Sequence, residues 1–248
     1  MVNLEAIRGP QGPYELCRFD DPATVQECKV MSDAEIGGYS QSNLDWHAHA
    51  KQPSLPTNPP NMPSHGYARF HGNISTELPK TRLEIQRTGY AAFRTSDRKR
   101  TLFSRGFWDI DPYAYLALRI RSDGRSYFIN VQTDSIVPTD LHQHRLFAKR
   151  PGEWETVLIK WNDFVRTNHG MPIEPQTELL KQKVNSVGVG LTDRVPGPFE
   201  LCIERIWATN DPSEADGEDK MEGTPVGFGA LKKKSGESVA WNPEDGKQ

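Results

Sequence analysis

The sequence predicts an all-β antiparallel fold, a sandwich or barrel with few short helices, and three observations predict it. Short runs of alternating apolar and polar residues recur along the chain, bounded by Gly, Pro or Asp. Asp123-Gly124 stands between two such runs, and Asp-Gly is a strong hairpin signal because Gly takes φ > 0 at no steric cost. Helix-period stretches are scarce: only Gln176–Lys183 reads as two helical turns. Many short strands separated by Gly and Pro turns are the pattern of sandwiches and barrels.

Taken in order, Glu15–Phe19 and Thr24–Met31 read as strands rather than helices. Lys51–Gly66 carries five prolines and interrupts the pattern as an extended loop, because proline lacks the N–H a ladder needs. Tyr67–Ser75 sets Ala68, Phe70, Gly72 and Ile74 at period two, and Gly89–Thr95 is a short strand. Tyr115–Arg121 turns Leu116, Leu118 and Ile120 inward and Arg119 and Arg121 outward; with the turn at Ser122–Arg125 and the return at Tyr127–Thr133 it reads as a hairpin. Trp154–Trp161 points Val157 and Ile159 inward, and Ser186–Leu191 offers Val187, Val189 and Leu191. Phe199–Ala208 offers Phe199, Leu201 and Ile203, then breaks alternation before Ile206, which predicts a bulge. The organisation is an N-terminal extension (1–14), one sandwich (15–210) with the proline-rich insert at 51–66, and an acidic tail (211–248) with too little to bury to fold alone.

Composition bounds the partners. The net charge of -3 over 248 residues gives no reason to expect nucleic acid. The acidity sits in the tail, where nine acids face five lysines, and Phe228 and Trp241 are its only large rings. Cys17, Cys28 and Cys202 are too few, and odd in number, for a disulfide framework, which suits buried free thiols and a reducing compartment. No apolar stretch is long enough to span a bilayer, and Met1–Pro13 has neither the apolar run of a signal peptide nor the make-up of a good transit peptide.

The search for catalytic chemistry returns little. There is no nucleophile elbow, P-loop, dinucleotide fingerprint or zinc-protease helix. His47/His49 and His142/His144 are i, i+2 pairs that share a face on a strand, but zinc wants three or four protein ligands and no Cys cluster lies near, so loop histidines are the plainer reading and no metal is expected. Asp109/Asp111 has nothing to set it across a glycosidic bond. Asn73-Ile74-Ser75 is a glycosylation sequon that matters only in a secreted chain.

Two surfaces read as contact candidates. Lys99, Arg100, Leu102, Phe103, Arg105, Phe107 and Trp108 mix cations and aromatics as membrane interfaces and protein hot spots do, although Phe107 and Trp108 equally suit a loop folded back as a cap on the core. Arg145, Lys149 and Arg150, in His142–Arg150, repeat that character, and the two runs at one end of the sandwich would make a single surface. The outward face of the expected hairpin is the second candidate: Arg119, Arg121 and Tyr127, with Arg94 and Arg69, would hold a headgroup, a phosphate or an acidic segment, or else be an ion-paired structural face.

Several segments in order carry a resemblance. Ser32-Asp33 with Gly37-Gly38-Tyr39-Ser40, Phe70-His71-Gly72, Gly89-Tyr90-Ala91, the LALRIR–SDGR–Y stretch, Trp154-Glu155-Thr156-Val157 ahead of Phe164, then Gly188, Gly197-Pro198-Phe199-Glu200-Leu201 and Ile206 resemble the complex I intermediate-associated protein family across residues 15–210. That resemblance implies a jelly roll similar to galactose-binding and carbohydrate-binding modules. It implies a non-catalytic assembly factor that needs no cofactor, binding membrane-arm intermediates of mitochondrial complex I and companion assembly factors at the matrix face of the inner membrane. The two aromatic-basic runs would add peripheral contact with that membrane, with cardiolipin as the anionic lipid to test. The insert at 51–66 is longer than the family pattern, and no transit peptide is recognisable. The rivals are a carbohydrate-binding module of the same fold, which needs exposed coplanar aromatics on a concave sheet face, and a hydrolase on the same sandwich, which needs a clustered acid/base set.

Overall fold

A computed structural model describes residues 12–48, 66–97, 106–135, 137 and 139–215. The described chain runs β1 (Tyr14–Arg18), helix α1 (Pro22–Glu27), β2 (Lys29–Ser32), β3 (Gln41–His47), β4 (Tyr67–Ile74), β5 (Ala91–Arg94), β6 (Tyr115–Ser122) and β7 (Tyr127–Thr133). It continues through β8 (Asp140–Arg145), β9 (Trp154–Lys160), β10 (Val165–Asn168), β11 (Met171–Pro172), β12 (Val184–Leu191) and β13 (Gly197–Thr209). The strands form two antiparallel sheets. One is ordered β3-β4-β13-β6-β9, with β1 on the far half of β13; the other is β11-β10-β8-β7-β12-β5-β2. The inward residues of both meet in one core, where Phe70, Leu116, Leu118, Ile120, Leu201 and Ile203 face Phe93, Ile129, Val131, Val187 and Val189.

Alternation located the core-facing residues and the bulge. Leu116, Leu118 and Ile120 are fully buried, and the pairing of β13 with β6 shifts register between Ile203 and Arg205, where alternation breaks. The hairpin expectation is corrected. β6 belongs to one sheet and β7 to the other, so Ser122–Arg125 carries the chain across the core instead of folding it back alongside. Arg125 fixes the crossing: its guanidinium binds both oxygens of Asp193 (3.0 and 2.7 Å) and the carbonyls of Gly197 and Pro198, while Asp123 accepts from the Glu200 N–H at 2.8 Å. Gly124 supplies the positive φ, 88°, that the turn requires.

Two further expectations change. Thr24–Met31 is not one strand: Asp21 accepts from Ala23 N at 2.8 Å and Pro22 opens α1, so cap and first-turn proline start a helix before β2 begins at Lys29. Gln176–Lys183 is not two helical turns but a single 3₁₀ turn at Lys181–Lys183. The Gln176 amide accepts from Arg166 N and donates to the carbonyls of Arg166 and Ile173, which ties this stretch to β10 in place of a helix.

The Ser32–Ser40 motif is a clamp. Asp33 is fully buried, and one oxygen accepts from Ser40 N (2.9 Å) while the other accepts from Ser40 Oγ (2.8 Å), Gly89 N (2.5 Å) and Tyr90 N (3.3 Å). Ser40 Oγ also accepts from Ser75 N at 3.0 Å, so one carboxylate joins the start of β3 to the end of β4 and the entry to β5. Gly37 holds φ +93°, and a Cβ on Gly38 would stand 2.5 Å from the Asp33 carboxyl.

Candidate functional site

The outer face of the six-stranded sheet gathers most of the sequence-predicted sheet-face residues. Register places Asp45, Arg69, Cys202, Arg121 and Trp154 in one row across β3, β4, β13, β6 and β9. His71 and Glu200 form the next row on one side. Glu200 sits between two arginines: Arg69 reaches Oε2 with Nε at 2.7 Å and Nη2 at 2.6 Å, and Arg121 Nη2 is 3.4 Å from Oε1. Burial alone would raise the Glu200 carboxyl, but the hydrogen bond and charge of Arg69, then the charges of Arg121 and His71, hold it below the ordinary glutamate value. His71 Nε2 is 2.6 Å from Asp45 Oδ2.

Aromatic rings close the middle of this face. Tyr67 on β4 and Trp154 on β9 stand three strand spacings apart, about 14 Å along the sheet, yet their rings meet edge to face with centroids 5.3 Å apart. His47 stacks on Tyr67 at 5.3 Å, and Arg121 lies over the Trp154 ring at 5.8 Å. This roof explains why Cys202, on an outward position, has no exposed surface. Burial raises its thiol pKa even though Arg121 lies beside it. The exposed remainder is the charged rim, with the Arg69, Arg121 and Glu200 side chains each a little over a third exposed.

Not every predicted residue joins this face. Arg119 does, donating to Thr156 Oγ1 at 3.3 Å. Arg94 lies on β5 in the other sheet, paired with Asp97 at 2.5 Å, and so cannot converge with Arg69 and Arg121. Tyr127 is corrected too: it shares the parity of Ile129 and Val131, is fully buried, and donates its hydroxyl to Asp123 at 3.1 Å, with burial pushing its phenol well above the usual tyrosine range.

The aromatic-basic surface divides. Lys99, Arg100, Leu102, Phe103 and Arg105 lie outside the described residues. Phe107 is half-buried, and Trp108 is core, not contact surface: it exchanges backbone hydrogen bonds with Val184 at 2.9 and 3.1 Å and packs beneath the sheets. Arg145 and Lys149 are exposed, and Arg150 is half-buried near Glu153 at 3.7 Å. Arg145 lies over the ring of Phe147, which is 58% exposed. Buried Glu155 shapes this segment by accepting from Lys149 N and Arg150 N, both at 3.1 Å. The single-surface expectation turns on Lys99–Arg105, outside the described residues; the described residues place only the anchoring ends of the two runs. Trp108 meets Val184, opposite Thr133, whereas Leu146 bonds to Tyr127 at the other end of β7. Seven residues of strand separate them by about 20 Å.

His142 and His144 are not loop histidines: both lie on β8 with inward parity. Burial lowers both imidazoles below the ordinary value; His142 faces the Thr177 carbonyl, and His144 lies between Phe147 and Phe164. His49 is outside the described residues, among which no three His, Cys, Asp or Glu side chains are placed to hold a metal. A cleft of about 500 Å³ is lined by Glu15, Cys17, Arg18, Thr24, Cys28 and Trp108, among others. Burial raises the Cys28 thiol to about 11 and the Cys17 thiol higher still, which leaves both protonated and poorly nucleophilic near neutrality. Glu200 and Trp154 complete the face; the sequence showed them as members of family-like segments and not as site residues, and register alone brings Glu200 between two arginines.

The architecture defines the class: a jelly-roll β-sandwich module. Two solved family 11 carbohydrate-binding modules share the fold. One, from Clostridium thermocellum in complex with a β-1,3-1,4-mixed-linked tetrasaccharide, aligns with TM-score 0.51 and 13% identity over 82% of this chain and 98% of its own. The other, from the cellulosomal cellulase Lic26A-Cel5E of that organism, aligns with TM-score 0.52 and 13% identity over 82% and 97%. Within that class, residues 17–203 match the family of Complex I intermediate-associated protein 30 (CIA30), and the chain belongs to that family. It is 57% identical to the mitochondrial complex I intermediate-associated protein 30 of Neurospora crassa over 96% of this chain and 87% of that protein. The mouse and Drosophila melanogaster proteins of the same name are 27% and 26% identical over 89% and 80% of this chain, which spans 66% and 63% of their lengths.

Proposed function

We propose that this chain is a non-catalytic assembly factor for mitochondrial respiratory complex I. It binds membrane-arm intermediates and companion assembly factors at the matrix face of the inner membrane, covers exposed subunit surface, and leaves. The observation that carries this reading is the family match across residues 17–203, together with 57% identity to a mitochondrial protein named for association with complex I intermediates. The site chemistry is compatible with it: the described face offers charged hydrogen-bonding groups over an aromatic roof, a surface suited to holding a partner by equilibrium binding. The exposed Arg145, Phe147 and Lys149 are the membrane-facing candidates, with cations for anionic lipid and a ring for the headgroup layer. Affinity isolation of the tagged chain from mitochondria is the test: complex I membrane-arm subunits and assembly factors co-purify, and their absence overturns the reading. Flotation with cardiolipin-containing liposomes tests the membrane contact; equal flotation with and without cardiolipin overturns the lipid preference.

A further inference from the structure

We propose that Arg121, with Arg69 beside it, is a receptor for a partner carboxylate: an acidic protein segment docks on the outer face of the six-stranded sheet and takes the guanidinium donors that Glu200 leaves unused. The proposal deepens the assembly-factor reading and rests on it for the partner being a protein. Its basis is the unequal way the two arginines share Glu200. Oε2 receives Arg69 through two nitrogens, at 2.7 and 2.6 Å, whereas Oε1 receives Arg121 through one, at 3.4 Å. The other polar contact of Arg121 is the Cys202 sulfur at 3.4 Å, a weak acceptor. Among the described residues Nε and Nη1 of Arg121 have no protein partner.

A guanidinium presents five N–H donors in a rigid planar fork that matches a carboxylate bidentately. Here the fork is already oriented. It lies over the Trp154 ring, and Trp154 is itself fixed against Tyr67, so a ligand would lose little side-chain freedom on binding. The surrounding charge near Arg121 favours an anion: Arg69, Arg119 and Arg121 lie on the two strands that flank β13, Asp45 is engaged by His71, and Glu15 and Arg18 at the far edge pair with each other. The partner being read as a protein, the anion is taken as an Asp or Glu carboxylate, whose two oxygens match the fork.

The test uses the full chain and a fluorescently labelled hexaglutamate peptide, followed by anisotropy at low ionic strength where screening is weak. Arg121→Gln is expected to weaken binding about tenfold, and Arg121→Lys, which keeps charge but loses the fork, about threefold. Glu200→Gln removes the internal competitor and is expected to tighten binding about threefold. Thermal melts check that each variant is folded; if Arg121→Gln is not, the Lys and Glu200→Gln variants carry the test. Equal binding by native and variant chains overturns the proposal, as does no binding by the native chain. The two readings fail separately. A native chain that co-isolates no complex I subunit overturns the assembly reading whatever the peptide does, and a peptide indifferent to Arg121 overturns this proposal whatever the chain co-isolates.

Discussion

Replacing Asp33 should cost this domain a large share of its stability and leave no separate functional signature. The carboxylate is fully buried and accepts from three backbone N–H groups, those of Ser40, Gly89 and Tyr90, and from the Ser40 hydroxyl. Asp33→Ala strands those donors, and each buried unpaired donor costs about 1–3 kcal/mol. Shared relaxation keeps the sum below simple addition, so about 3–5 kcal/mol is expected, against about 5–15 kcal/mol for a whole domain. Asp33→Asn keeps the shape but turns an NH₂ toward donors that need an acceptor, for about 2–3 kcal/mol, and Ser40→Ala removes one partner for about 1–2 kcal/mol. Urea unfolding followed by tryptophan fluorescence reads the series as shifts in midpoint at constant slope. An Asp33→Ala protein as stable as the native chain but unable to co-isolate its partners would refute the clamp argument and make Ser32–Ser40 a binding motif.

Arg125→Ala should destabilise by about 2–4 kcal/mol, because it leaves the half-buried Asp193 without its bidentate partner; in a double-mutant cycle Arg125→Ala/Asp193→Ala should cost less than the two single changes added, and simple additivity would refute the coupling. Gly72→Ala should lose about 3 kcal/mol by urea unfolding, since the new Cβ would stand 2.0 Å from the Gln41 carbonyl oxygen and push β3 off β4; an unchanged midpoint would contradict the close approach. Burial holds the folded pKa values of His142 and His144 below the ordinary histidine value of 6.5, so the unfolded chain binds protons that the folded chain refuses. Their contribution is complete above pH 6.5 and falls as pH drops through it, which makes the urea midpoint lower at pH 5.5 than at 7.5 and the drop smaller in His144→Phe. Glu200, depressed from 4.5, adds a loss at lower pH as its carboxyl protonates, and Glu200→Gln should remove that step.

What the sequence made legible was parity; what it hid was neighbourhood. Alternation identified Leu116, Leu118 and Ile120 as inward and Arg119 and Arg121 as outward, because side-chain period in a strand is a local property. Alternation carries no information on which sheet a strand joins. Two consecutive runs around Asp-Gly read as a hairpin, while Arg125 and Asp193 direct the chain across the core. The same gap scattered the expected arginine cluster: Arg69 and Arg121 meet through β13, a pairing set more than seventy residues downstream of either, and Arg94 belongs to the opposite sheet. Tyr127 was misplaced with the outward face of the expected hairpin although its parity with Ile129 and Val131 was readable; its hydroxyl is satisfied by Asp123 inside the fold. The Ser32–Ser40 motif was legible as a family-like segment, but the partners of Asp33, at Gly89 and Tyr90, are more than fifty residues away.

A shared fold with carbohydrate-binding modules does not by itself transfer a sugar site, and the outer face shows why in terms of ring geometry. A sheet that holds a sugar by stacking needs flat, accessible ring faces. Here Trp154 is only 5% exposed, with Arg121 over its face and the Tyr67 ring against it at an interplanar angle of 71°, while Tyr67 gives a face to His47. The stacking capacity of these rings is turned inward and spent on orienting Arg121. What the roof leaves outside is a row of charges with a surplus of guanidinium donors, and such groups discriminate by charge and hydrogen-bond geometry instead of by apolar stacking. On the proposal that this face receives a carboxylate, its specificity lies in Arg69, Arg121 and Glu200, with Trp154 as their positioning residue. Trp154→Phe should therefore leave the fold standing but loosen Arg121 and weaken hexaglutamate binding severalfold; binding that survives intact in a folded Trp154→Phe chain would separate the roof from the receptor.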